Sequence, residues 1–559
     1  MLDELFLGHL RWADVRSFPE QAPEEERAGD EAVAALRQLV LEHVDPAELD
    51  TTGRMPAGLV ERFREQGWFS MLVDNGNRAA LSPLNAVRAL EAVAGISPAV
   101  ALMLGSSNGF GPSHYVSLVP DGPLRRLLER HVDAGSVHGT ADTEVCGAAN
   151  ASRETVAVPV EDGAAYLISG EKIHIGNGIS AGLVDVSASL EHDGTTQIRI
   201  FFVETDSPGV EVVPQQYMGL HGAPFGVIRF DKVRVPAEHL LPASVDAWRD
   251  DAALVRLAVL GRMLTIGPSS LAIAKQCLVW SKEFVNRRTS DGRPLGDHDA
   301  IRRIVAQNAA DVFAIDSVTR WSLQTDDLAE QAPEHTAAKN LISVACWRAM
   351  DRTLSLLAAE GYETSESKAR RGGPTLPVER FVRDARGLRI SGGVDFLLDY
   401  WTALGALQTA NARSNDEPGQ GRRTETDEAL SPRNQAHLAH LESEVHALGA
   451  LLRRLLQRNG AEPVPEYQHK LMLAGRIGIT TLGMAIVLAR AAHLAERGDT
   501  VAQELADIWC AEARGELAGL WPQAANEQEP DYAAMSERVL HDDALNWLLR
   551  DAVGEGSHD

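Results

Sequence analysis

The change of hydrophobic period along the chain is its strongest constraint. Over roughly the first 135 residues, apolar side chains recur at helical spacing. In DEAVAALRQLVLEHV, Val33, Leu36, Leu39, Val40 and Val44 share one face. Between about Ser136 and Pro242 the period drops to two. ETVAVPVEDGAAYLISGEKIHI has β-branched runs on both sides of Asp162-Gly163, VDVSASLEHDGTTQIRIFFVE repeats this around Asp193-Gly194, and GVIRFDKVRVP alternates until Pro236 ends it. Helical period returns from about Asp246. Such a chain must bury a compact antiparallel β unit between helical bodies.

The second helical region contains IAKQCLVWSKEFVNRR, AIRRIVAQNAADVFAIDSVTRWSL and AAKNLISVACWRAMDRTLSLLAAEGY, each with an apolar stripe. With the helix that follows Gly393 they suffice for a four-helix bundle. ANARSNDEPGQGRRTETDEALSPRN is polar and rich in Gly and Pro, as linkers are. The predicted order is an N-terminal helical domain (1–135), a β-barrel domain (136–245), a four-helix bundle (246–412), a linker (413–434) and a C-terminal helical domain (435–559). The fold class is therefore mainly α with a central β domain.

A formal net charge of −26 argues against nucleic acid or an anionic membrane surface as partner. Cys146, Cys277, Cys346 and Cys510 are widely separated and lack metal-ligand spacing, which predicts reduced core thiols in a cytoplasmic protein and no bound metal. The first residues, MLDELFLGHLRWADV, have acids among the apolar side chains and no basic start, unlike a signal peptide. No uncharged apolar run reaches the ~18 residues that a membrane span needs, so none is expected.

RDARGLRISGGVDFLLDYW, Arg383 to Trp401, crowds charges before a Ser-Gly-Gly turn that opens an apolar helix. Free backbone N–H groups at such a turn suit an anionic ligand. Four further segments, in this order, carry a family resemblance: ISGEKIHIGNG, MGLHGAPFGVIRFDKVRVPAEHLL, RRTSDGRPLGDHDAIRRIVAQNAADV and EGYETSES…LPVERFVRDAR. Together with the order of domains, they resemble the acyl-CoA dehydrogenase superfamily, over roughly Asp50 to Ala410. The carboxy-terminal helices resemble the extension of its very-long-chain members and of acyl-CoA oxidases.

The resemblance implies FAD between the β unit and the bundle, a homodimer that completes the site, and an acyl-CoA or acyl-carrier-protein thioester as substrate. It also implies loss of a proton from Cα and a hydride from Cβ. Carried over by position, Thr143 would bond the flavin edge, and Ala149 stands where a serine seats the pantetheine arm. His174 replaces the aromatic that packs on the flavin, and Ile175 and Gly176 follow it past N5. Arg288 would reach the FAD pyrophosphate across the dimer, Gly361 is what is left of a glycine-rich cofactor turn, and Ser391 and Gly393 flank the ring. The family's catalytic glutamate falls on Gly392, and the alternative position for that base falls on Gly261 or Arg262. Arg262 and Gly392 are thereby expected at the substrate.

Both known bases are absent. The nearest acids in sequence are Asp395 on the following helix and Glu360 or Glu363 in the facing turn. The main expectation is an FAD-dependent acyl-thioester dehydrogenase with a relocated base, Asp395 or Glu363 taking that role. A non-catalytic or FAD-poor partner subunit and a flavin monooxygenase on the same fold are the alternatives.

Overall fold

The computed structural model describes the chain except for residues 117, 151, 193, 243–251, 325–331, 414–425, 461–466, 527, 542–544 and 550–559. Most of the stretch predicted as a linker thus lies outside the described residues. So do the boundary predicted near residue 245 and the last ten residues of the chain.

Alternation produces strands where the sequence shows it. They are β1 (His138–Ala141), β2 (Val156–Val160), β3 (Ala165–Ile175), β4 (Leu183–His192), β5 (Thr195–Glu204), β6 (Val210–Pro214) and β7 (Gly226–Pro236). β2 and β3 pair antiparallel across Asp162-Gly163, and β4 and β5 across residues 193–194. The order is β1-β4-β2-β3-β7-β6, with β5 also on β4, in a sheet that curls into a half-barrel. The curl encloses Ile168, Val184, Phe201, Ile228 and Phe230. The other face of β5 presents Ile200 and Phe202 to Tyr115, Leu124 and Leu128, from the helices Pro112–Val116 and Pro123–Asp133. Each such side chain contributes about 1.5–3 kcal/mol on burial.

The helices Ala252–Arg287, Asp299–Leu323 and Ala332–Tyr362 pack on one another, and Val378–Leu388 and Asp395–Ala412 pack on the third. Gln468–Glu496 lies against Asp395–Ala412 and Asp299–Leu323. Met1–Ala513 is one compact unit and Arg514–Asp559 is another. In the second unit Tyr532–His541 and Asn546–Leu549 are helical, with Tyr532, Leu540, Trp547 and Leu548 exposed.

Gln468–Glu496 is long and apolar enough to cross a membrane by length and composition, yet 89% of its most apolar window is buried, as in a core helix. Arg476 and Arg490 interrupt its apolar run, and Arg490 is matched by Asp316 at 2.6 Å. One expectation needs correction. Of the four thiols, Cys277, Cys346 and Cys510 are buried, but Cys146 is exposed on the loop after β1. Nothing local in the sequence distinguishes that loop from core.

A polar junction joins the three parts. Leu220 N–H donates to buried Asp384 (2.5 Å), Arg383 bonds Asp50 (2.7 Å), and His221 contacts Asp50 (3.1 Å). Burial pushes the Asp384 carboxyl up to about 6, with the Leu220 N–H and Arg380 opposing. The charges at the head of RDARGLRISGGV thus tie the sheet to the bundle.

Candidate functional site

The sheet side of the site is shaped by a buried ion pair. Glu144, on the loop after β1, accepts from Lys172 Nζ (2.8 Å), Glu154 N–H (2.7 Å) and Thr155 N–H (2.8 Å). Against burial, these bonds hold its carboxylate down at about 2. Lys172 also donates to the Asp142 carbonyl (3.1 Å), and Ile173 N–H donates to the Thr143 carbonyl (2.9 Å). The loop is therefore laid along β3, and Thr143 is half-buried beside it.

β3 then bulges. Its register with β7 slips between Lys172 and Ile175, and His174 takes φ +61. This turns the His174 ring out to solvent, where Nδ1 shares a 2.6 Å hydrogen bond with Tyr217 Oη, while His174 N–H donates to Gln215 Oε1 (2.7 Å). Gln215 and Tyr217 also line an adjoining cavity of about 150 Å3. Ile175 points into the sheet core, so only its backbone is available to a ligand. Buried Asn177 donates to the Met103 and His138 carbonyls (3.0 Å each), fastening this turn to the helix Pro98–Phe110. Gly176 is left facing Ser106, whose Oγ lies 3.5 Å from where a Cβ would stand.

The same helix leads to the bundle side. A Cβ on Gly109 would come within 2.6 Å of Gly261 Cα, so the two helices cross backbone to backbone. A side chain at Gly261 would run into the Phe110 ring, which explains why this base position holds no acid. Arg262, next along, reaches the Ser-Gly-Gly turn. The Cβ that Gly392 lacks would stand 3.5 Å from Arg262 Cγ and 3.8 Å from Lys339 Cε. Two cations therefore converge where the resemblance places a glutamate. Arg262 donates to Thr336 Oγ1 (3.0 Å) and Lys339 Nζ to the Gly393 carbonyl (2.7 Å). Burial, reinforced by Arg262, brings the Lys339 ammonium down to about 7, with Asp395 opposing.

The acids predicted as substitute bases are engaged elsewhere. Asp395 pairs with Arg389, which outweighs burial and holds the carboxylate below its usual range. Glu363 is gripped by Arg371 and by Ser367 (2.7 Å), which bring it to about 2, and Glu360 pairs with Arg287. Glu363 also follows the end of the Ala332–Tyr362 helix. It lies past the kink at Ala358, and at ~1.5 Å per residue that kink alone is already about 28 Å along the helix from Lys339. Gly361 is buried against Leu354 and Leu357, and Arg288 is exposed with its guanidinium over the Phe284 ring at 5.2 Å. Ala149 and Ser391 are exposed and Gly393 is half-buried.

The structure thus brings Thr143, His174 and Gly176 together on one side of the Pro98–Phe110 helix, and Arg262, Gly392 and Lys339 on the other. Glu363, Gly361 and Arg288 belong to the far end of the bundle. Sequence reasoning missed Glu144, Asn177 and Lys339. Of these only Lys339 left a local signal, a Lys-Asn pair inside the apolar run AAKNLISVAC.

The description "Acyl-CoA dehydrogenase, middle domain" matches residues 139–233, and "Acyl-CoA dehydrogenase, C-terminal domain" matches 257–397. Probable acyl-CoA dehydrogenase FadE10 of Mycobacterium tuberculosis is 30% identical over 70% of this chain, and the match spans only 60% of that protein's own length. Very long-chain specific acyl-CoA dehydrogenase of Rattus norvegicus is 24% identical over 91% of this chain and 82% of its own. The solved acyl-CoA dehydrogenase from Bacillus anthracis, complexed with FAD, superposes with a TM-score of 0.76 at 17% identity, over 96% of this chain and 94% of that one. The sequence matches across the sheet and the bundle place the chain in the acyl-CoA dehydrogenase superfamily, and its fold agrees with that.

Proposed function

We propose that the chain is an FAD-dependent acyl-thioester dehydrogenase that introduces an α,β double bond. The carrying observation is the juxtaposition, across one helix, of the Thr143–His174–Gly176 surface with the bare turn at Gly392. The residues present suit FAD. His174 offers an exposed ring, Gly176 a backbone with no side chain in front, and Thr143 a hydroxyl. Arg288 has no ion pair among the described residues and so keeps its guanidinium for a phosphate. When bound, FAD supplies the acceptor for the Cβ hydride. The chain's own part is to position the thioester and to shield it, and exposed Ile390 and Phe396 beside the turn provide apolar cover.

The substrate class is an acyl-CoA or an acyl-carrier-protein thioester, which share one pantetheine arm. Full-length protein titrated with FAD should turn yellow, and an anaerobic series of saturated acyl-CoA thioesters should bleach it. A preparation that takes up no FAD would overturn the function. The engagement of Asp395 and Glu363 by arginines favours one second reading, a non-catalytic partner subunit. That reading predicts a yellow protein that no thioester bleaches.

We further place Arg288 at the cofactor of a partner subunit, in a cytoplasmic homodimer. Sedimentation should give twice the chain mass of 60.5 kDa; a monomer that still binds FAD tightly would refute the shared site.

A further inference from the structure

The chain has only seven lysines, and three of them are fully buried: Lys172, Lys339 and Lys368. Lys172 is matched by Glu144. Lys368 donates to the Leu376 carbonyl (2.5 Å) and lies in the field of Glu360, Glu363 and Glu379. Lys339 differs from both. It forms no ion pair among the described residues, its bond is to the Gly393 carbonyl, and its nearest acid, Asp395, is held by Arg389.

Its charged neighbours come from each packed element. Arg262 faces it from the Ala252–Arg287 helix, Arg389 from the turn, and Asp395 from the start of the next helix. Asp399, one turn further, is bonded to the adjoining Asn340 at 2.7 Å. An ammonium that is buried without a counter-ion and set beside a guanidinium is driven to shed its proton. The amine that results keeps two N–H donors, one of which can stay on the Gly393 carbonyl, and it gains a free lone pair. Gly392 places no side chain in front of it, since its φ of +69 suits glycine and its missing Cβ would be 3.8 Å from Lys339 Cε.

We propose that Lys339 is the base that takes the α-proton of the thioester, replacing the carboxylate that the turn lacks. This rests on the dehydrogenase function proposed above. In the step the Cα–H bond breaks, an N–H bond forms on Nζ, and the electron pair stays on Cα, conjugated with the thioester carbonyl. No oxidant enters it. Arg262 is the positioning residue that keeps the amine neutral, and the ammonium formed returns its proton to solvent.

The test uses full-length protein with FAD and, as probe, octanoyl-CoA or palmitoyl-CoA, whichever bleaches the flavin faster. The bleaching rate of the wild type should rise with pH and level off, with a midpoint near 7. Lys339→Met should lower it by about 10²–10⁴-fold, remove that inflection, and be partly rescued by small primary amines. Lys339→Arg keeps the charge and the bond to Gly393, so a merely structural tie would survive it, whereas a base would be lost. Independently of turnover, protein labelled with 13C at lysine Cε should show one of seven resonances titrating near 7, absent from Lys339→Met. A wild type that neither probe bleaches sinks the dehydrogenase function itself. A bleached wild type with a Lys339→Arg variant within about threefold of it, or with no lysine titrating near neutrality, overturns Lys339 alone.

Discussion

Glu144→Ala is expected to destabilise the chain by about 3–5 kcal/mol, the range for removing one partner of a buried ion pair. Lys172 is fully buried and Glu144 is 1% exposed, so the mutation leaves an ammonium in the sheet bonded to the Asp142 carbonyl and Ser187 Oγ (3.1 Å each), with the nearby Asp142 carboxylate already taken by Arg153. It also strips the Glu154 and Thr155 N–H groups of their acceptor. The loop that carries Thr143 should then detach, which limited proteolysis between β1 and β2 would report, and FAD uptake should fall with it. Calorimetry of the single and double variants separates the causes. Glu144→Met with Lys172→Met should recover most of the loss, because an apolar pair has no charge to strand. A Glu144→Ala variant within about 1 kcal/mol of the wild type would mean that water reaches Lys172. The pair also fixes a sign with pH. The folded-state carboxylate value is depressed to about 2, so the stability it contributes is present above the ordinary value of 4.5 and is lost as pH falls towards 2. Lys172 is also depressed, by burial, so its term runs in the same direction in a higher window: the cost of burying its charge is relieved as pH rises towards its ordinary value of 10.5.

What the sequence made legible is what acts over a few residues. Asp162-Gly163 marks a hairpin because its geometry is local, and GVIRFDKVRVP reads as a strand because alternation over eleven residues is local too. The helical stripes of the bundle are visible for the same reason. The features that shape the site are bonds between distant residues. Glu144 and Lys172 stand 28 residues apart, Lys339 and Gly393 54, and Leu220 and Asp384 164. No window of sequence contains both ends. Resemblance located the turn at Gly392 and the loop at Thr143, since those are matched by motif. It directed the search for a base to carboxylates near the turn in sequence, and Asp395 and Glu363 are both committed to arginines. Nor does the crowd of charges before the turn show in sequence what it serves, since Arg383 and Asp384 find their partners in Asp50 and Leu220.

Gly105→Ala is expected to cost about 3 kcal/mol, whereas Gly405→Ala is expected to stabilise by about 0.5–1 kcal/mol, although both glycines lie inside helices. Helix propensity alone favours alanine at each by about 1 kcal/mol. At Gly405 the new methyl would meet nothing within 4 Å and the position is exposed, so propensity decides. At Gly105 it would collide with the Leu264 carbonyl oxygen, which is main chain and cannot swing aside as a side chain can. Four residues on, Gly109 has the same relation to Gly261 Cα at 2.6 Å, so the crossing of Pro98–Phe110 with Ala252–Arg287 depends on both. Forcing the helices apart moves Ser106 from Gly176 and Arg262 from Gly392, the two contacts that bring the halves of the site together. Gly105→Ala should therefore lose thioester-dependent bleaching even in protein that remains folded at low temperature, and Gly405→Ala should keep it. Equal melting temperatures for the two variants would show that the crossing has slack, and the site would then need another cause for its alignment.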